Sequence, residues 1–174
     1  MPARALSCDT VKLQRIEPQP GQESVWDYPR PPAVSPTSSH VVVIHGGQVI
    51  AETRSAVRVL ETSQPPAFYI PAADVLPGRL RKSTQRSMCE WKGLATYWDV
   101  TSGDVVVPDA AWSYEQPTPA FASITGHVAF YAQLMDECWV DEERVDANLG
   151  SFYGGWITSR VVGPFKGGPG TMGW

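Results

Sequence analysis

Sixteen prolines and fifteen glycines are scattered through short runs of this chain, and no segment carries a long helical period. Proline removes a backbone donor and clashes with a helix interior, and glycine weakens both helices and strands from within. A chain punctuated this way builds its core from short strands joined by turns, so the sequence predicts an all-β or β-dominated domain with one or two short helices.

The clearest element is Val41-Val42-Val43-Ile44 followed by His45-Gly46-Gly47-Gln48 and Val49-Ile50-Ala51. Two β-branched runs around a Gly-Gly pair predict a hairpin, because glycine supplies the positive φ that tight hairpin turns need. Four successive apolar residues predict a strand covered on both faces. Further strands are expected over 56–61, 67–70, 91–100, 104–107, 111–114 and 127–131, with a hairpin over 138–146. Pro71 to Val75 reads as one helical turn and Pro119 to Thr125 as a short helix.

The organisation reads as a lead-in over 1–21, a Pro-rich docking arm over 22–36, a β-rich core over 37–148 and a Gly/aromatic-rich wrapping tail over 149–174. In the arm, Pro29, Pro31 and Pro32 favour an extended backbone, and Trp26 and Tyr28 give it side chains large enough to dock.

Several function classes find no support. A net charge of −4 argues against a general nucleic-acid binder. The longest uninterrupted apolar run, Val41 to Ile44, is far shorter than the ~20 residues of a membrane span. Cys8, Cys89 and Cys138 are too few and too widely spaced for a disulfide framework, and with no apolar leader the expectation is a reducing, cytoplasmic setting. No Cys pair has zinc-ligand spacing, and His40 and His45, an odd number apart on one strand, face opposite ways. No metal site and no cofactor is expected. Phe165-Lys166-Gly167-Gly168-Pro169-Gly170 is glycine-rich but has no following helix, and Pro169 removes an amide, so it does not read as a phosphate loop.

The aromatics are the strongest pointer to a site. There are seven tryptophans, and several stand beside polar groups: Trp91 by Lys92, Tyr97 by Trp98, and Trp112 near Tyr114. On a strand Tyr97 and Trp98 face opposite ways, whereas Trp112 and Tyr114 share a face. Such a face beside Lys92 or Arg58 suits a flat or cationic ligand; the plainer alternative is that the rings fill the core. Val57, Val59 and Glu61 alternate onto one face, and a carboxylate continuing an apolar face needs a partner such as Arg58, or a ligand. Arg79, Arg81, Lys82, Arg86 and Lys92 form a basic stretch that reads either as a solvated surface or as the seat of an anion; Asp136 to Asp146 is its acidic counterpart. Cys89 is a candidate nucleophile only if a base such as His127 lies beside it.

Taken in order, Val49-Ile50-Ala51-Glu52-Thr53, Val59-Leu60-Glu61-Thr62, Pro65-Pro66 before Phe68-Tyr69-Ile70-Pro71, Cys89-Glu90-Trp91-Lys92-Gly93, Tyr97-Trp98, Ala111-Trp112-Ser113-Tyr114 and His127-Val128-Ala129-Phe130-Tyr131 resemble the family known as domain of unknown function 427. The resemblance spans about residues 40–131. It departs at Phe68, where tyrosine is expected, which removes one hydroxyl from the anticipated site. The resemblance implies compact β-tent-like antiparallel sheets, similar to methionine sulfoxide reductase B and to the drug-binding domain of cereblon. It implies a small-molecule pocket lined by Glu61, Thr62, Tyr69, Lys92, Tyr97, Trp112 and Tyr114, to which the reading of the charges adds Arg58. It brings no activity. Three functions stay open: binding of an unknown small molecule, an enzyme using Glu61, Lys92 or Cys89, and an interaction module working through the arm or tail.

Overall fold

The structure, a computed structural model, describes residues 13–174. The lead-in up to residue 12, including Cys8, lies outside the described residues. Strands in chain order are β1 Glu23–Ser24, β2 Ala33–Pro36, β3 Val41–His45, β4 Gln48–Thr53, β5 Val57–Leu60, β6 Ala67–Pro71, β7 Leu80–Cys89 and β8 Gly93–Ser102. They continue as β9 Val105–Ser113, β10 His127–Phe130, β11 Glu137–Val140, β12 Glu143–Arg144, β13 Asp146–Ala147, β14 Trp156–Ile157 and β15 Val161–Val162. Seven form one antiparallel sheet, ordered β2-β5-β6-β10-β9-β8-β7, and four form a second, ordered β12-β11-β3-β4. The domain is strand-dominated, as the proline and glycine pattern requires.

The two sheets share the main core. Val41, Val43, Ile50 and Cys138 from the smaller sheet meet Phe68, Ile70, Val100, Val128 and Phe130 from the larger one. Strand alternation then sends Tyr69, Trp112 and Ala129 to the opposite face of the seven-stranded sheet, where a second apolar cluster forms with Val57, Val59 and Tyr114. The larger sheet is therefore apolar on both faces, and the second face carries the candidate site.

The Gly46-Gly47 turn has φ of 58° and 69°, as a two-residue hairpin connection demands. The β3 run is covered less than its composition suggests: Val41 and Val43 are fully buried, but Val42 and Ile44 are half-buried. The expected strands at 104–107 and 111–114 are one strand, β9. It is bent where Asp109 takes φ of 51° and its N–H donates to Asp99 Oδ1 at 3.1 Å, opposite a register shift in β8. Strand β7 had no sequence signal. It is an edge strand whose exposed Arg81, Lys82 and Arg86 hide any apolar alternation, the usual protection of a sheet edge. The helical segments are all 3-10 turns, at Val25–Asp27, Ala72–Asp74, Pro119–Ile124 and Ala132–Leu134.

Arm and tail are tied together. β1 pairs in parallel with β15, Val25 is fully buried, and the Trp26 indole donates to the Pro164 carbonyl at 2.9 Å. β2, also from the arm, is the outer strand of the larger sheet. Trp156 anchors the tail: its backbone N–H donates to Pro66 O at 2.8 Å, its indole N–H donates to Phe130 O at 2.9 Å, and its ring stacks on Phe68 with centroids 5.2 Å apart. No helix among the described residues is long and apolar enough to cross a membrane.

Candidate functional site

Sheet register builds the floor of the site. Tyr97 of β8 pairs with Trp112 of β9, Trp112 with Ala129 of β10, and Ala129 with Tyr69 of β6, so these four stand in one row on one face. Ala129 is the small member. With only a methyl between them, Trp112 reaches across and its indole N–H donates to the Tyr69 hydroxyl at 3.1 Å. Tyr131 packs on Trp112 with ring centroids 4.5 Å apart, and Tyr114 lies 6.5 Å from Tyr69. Large rings flanking a small residue leave a hollow.

Loops wall the hollow. The β7–β8 turn carries Trp91 and Lys92; Thr118 pins it by donating its hydroxyl to Trp91 O at 2.6 Å and its N–H to Lys92 O at 3.1 Å. The turn after β5 brings Glu61 to the rim. The tail forms the roof through Tyr153, Gly154 and Gly155. Here two glycines are required by close approach. A Cβ on Gly154 would sit 2.2 Å from Trp112 Cη2, and one on Gly155 would sit 2.4 Å from Pro65 O. The cavity, open to solvent on one side, holds about 380 Å³, within the ~300–1,000 Å³ of small-molecule sites.

Most, but not all, of the residues singled out from sequence converge here. Glu61, Tyr69, Lys92, Tyr97, Trp112 and Tyr114 line the cavity, as does Cys89. Arg58 and Thr62 do not. Arg58 points away and binds Glu23 with its two terminal nitrogens at 3.1 and 3.3 Å, while the Thr62 hydroxyl donates to Tyr28 O at 2.6 Å; both hold the arm. The odd offset of Arg58 from Val57 and Val59 already puts it on the other face. Glu61 pairs with Arg30 at 3.4 Å instead of Arg58. Phe68 packs in the main core on Trp156, so the tyrosine hydroxyl missing there is not missing from the cavity. His127 does not line the cavity; its Nδ1 lies 3.1 Å from Thr125 O, so Cys89 has no base from that source. Tyr131, Trp91, Lys166 and the roof also line the cavity, though sequence reasoning did not place them there. The alternation Ala129–Tyr131 and the glycine pair between Tyr153 and Trp156 were the signals that would have found two of them.

The electrostatics are uneven. Lys92 is 9% exposed, and its Nζ lies 5.6 Å from the Tyr114 ring centroid and 5.9 Å from that of Phe121. Among the described residues it has no carboxylate or other acceptor. Burial raises the phenols of Tyr69 and Tyr114 well above the usual tyrosine range, so both stay protonated and able to donate. Lys166, at the mouth, donates to Trp174 O at 3.0 Å. Among the described residues, no group of three or more His, Cys, Asp or Glu is placed to hold a metal ion.

Residues 33–141 match the family described as Domain of unknown function (DUF427), a span that holds the floor and the β7–β8 wall of the cavity but not the tail roof. No curated protein matches the sequence. The match covers well over half of the chain and every strand of the larger sheet, and the chain belongs to the DUF427 family.

Proposed function

We propose that the domain binds a small molecule in the aromatic cavity. The observation that carries this reading is a hollow of about 380 Å³ on the second face of the larger sheet, bounded by aromatic rings and, in comparable measure, by polar groups. Here the rings pack against one another around the space instead of into it. Concave sites that join hydrophobic and aromatic walls to placed polar groups are the usual form of a small-molecule site.

Chemistry on the bound molecule is the second reading, favoured by one fact: Cys89, Lys92 and Glu61 line the same cavity. The interaction-module reading draws less support, since Trp26 and Trp156 direct their indole N–H groups to carbonyls of this chain.

The test is native mass spectrometry after incubation with aromatic fragments, on the parent and on Ala67→Phe. Ala67 lines the cavity and is partly exposed, so a phenyl group there occupies the space without disturbing the floor. The expected result is one-to-one adducts with the parent and none with the variant. Adducts that persist in Ala67→Phe, or no adduct with the parent, would overturn the proposal.

A further inference from the structure

Among the charged side chains that line the cavity, Glu90 is exposed to solvent, and Lys92 is the buried one with no ion pair or hydrogen-bond acceptor among the described residues. It is nine-tenths buried. The rings of Tyr114 and Phe121 attract its charge but accept none of its three N–H bonds in the ordinary way. The Lys92 Nζ keeps access to the cavity, and an acceptor that enters there completes its hydrogen bonds.

The rest of the wall points the same way. The Tyr69 hydroxyl accepts from Trp112, which leaves its own proton to donate, and no acceptor for it stands among the described residues. Glu61, the carboxylate on the rim, is already matched by Arg30, and Glu90 is exposed to solvent. Lys166 adds a second positive charge at the mouth. The lining charges, Lys92 and Lys166 against Glu61 and Glu90, sum to zero; with Glu61 paired to Arg30 and Glu90 exposed, the charge left unmatched inside the cavity is that of Lys92. A cationic ligand is disfavoured for a further reason: Lys92 already sits over the Tyr114 ring, one of those that line the cavity, and repels a second cation there.

We infer that the cavity takes a flat, unsaturated ring carrying an anionic acceptor group, with the ring against the aromatic walls and the anion on Lys92 Nζ. This inference rests on the cavity being a binding site, as proposed above. Lys92 is then the specificity-determining residue and the rings supply charge-independent affinity.

Three probes of one shape separate the two claims: naphthoate, naphthamide and naphthylmethylammonium, titrated calorimetrically into the full chain. Naphthoate should bind at least about tenfold more tightly than naphthamide, the factor expected of a hydrogen bond to a charged group, and the cation most weakly. In Lys92→Met the advantage of naphthoate should vanish while naphthamide binding persists, and Lys92→Arg should retain a preference for the anion. The ranking on the parent needs no variant, so a variant that fails to fold leaves the test intact. Equal or tighter binding of naphthamide or the cation to the parent overturns the inference and leaves the binding reading standing, as does an anion preference that survives in folded Lys92→Met. Failure of all three to bind overturns both.

Discussion

Gly154→Ala isolates the contact that sets the roof of the cavity. Gly154 does not adopt the left-handed φ that reserves a position for glycine, so the backbone accepts alanine. With free space around it, the substitution would stabilise the fold by about 0.4–1 kcal/mol through the unfolded chain. The space is not free. The new Cβ would meet Trp112 Cη2 at 2.2 Å, Cζ3 at 2.6 Å and Cζ2 at 3.2 Å. Carbon atoms pack at roughly 3.5–4.0 Å, so one partner must retreat by more than about 1 Å. Trp112 is held from behind by Tyr131 at 4.5 Å and by its bond to Tyr69 at 3.1 Å. The tail cannot lift freely either, because Trp156, two residues on, is 1% exposed and hydrogen-bonded at both its backbone and its indole. Overpacking of this kind costs about 1–3 kcal/mol, which for a domain of this size lowers the melting temperature by roughly 2–10 °C. Urea unfolding read by circular dichroism measures it, with Gly173→Ala as control, since a Cβ there meets nothing within 4 Å. The control should be neutral or slightly stabilised. A Gly154→Ala protein as stable as its parent would refute the close seating of the tail on Trp112.

Other expectations concern single groups. Tyr69→Phe strands the buried Trp112 N–H and should destabilise by about 1–3 kcal/mol, whereas Tyr97→Phe, whose partly exposed hydroxyl lies 3.0 Å from Ser87, should change the urea midpoint far less; equal effects would contradict the hydrogen-bond assignment. Cys138 is 2% exposed and burial pushes its thiol up to about 12, so in a Cys8→Ser background alkylation of the native protein should mark Cys89 and spare Cys138 until denaturation. Asp99 is held below the usual carboxylate range by Arg81, at 2.8 and 3.2 Å, and by the Asp109 N–H. Because its folded pKa is lowered, the stability it contributes is present above the unfolded value of about 3.9 and is lost as pH falls through that value toward the folded one. Arg81→Gln should therefore flatten the fall of the urea midpoint between about pH 5 and pH 3; an unchanged slope would sink this assignment.

What sequence could and could not supply follows from how each residue is used. Alternation placed Tyr97 apart from Trp98, put Trp112 with Tyr114, and lined up Val57, Val59 and Glu61, because period-two geometry survives in any strand. It failed for β7, whose two faces are both largely wet, and for β9, where a bulge at Asp109 shifts the phase between 104–107 and 111–114, so that one strand reads as two. Reading Arg58 as a charge beside the aromatic face runs against the parity that sends it to the arm. The roof was invisible for another reason: Gly154 and Gly155 matter through residues far away in the chain, Trp112 and Pro65, and close approach between distant segments leaves no local pattern.

Seven tryptophans give seven indole N–H reporters, and nitrogen-resolved NMR of those signals during titration with aromatic fragments tests the binding cavity most directly. Binding in the cavity predicts that the Trp91 and Trp112 signals move and saturate, while Trp26 and Trp139, which do not line the cavity, stay in place. Saturating shifts at Trp26 and Trp139 with Trp91 and Trp112 unmoved, or no shift at any indole with any fragment, would contradict it.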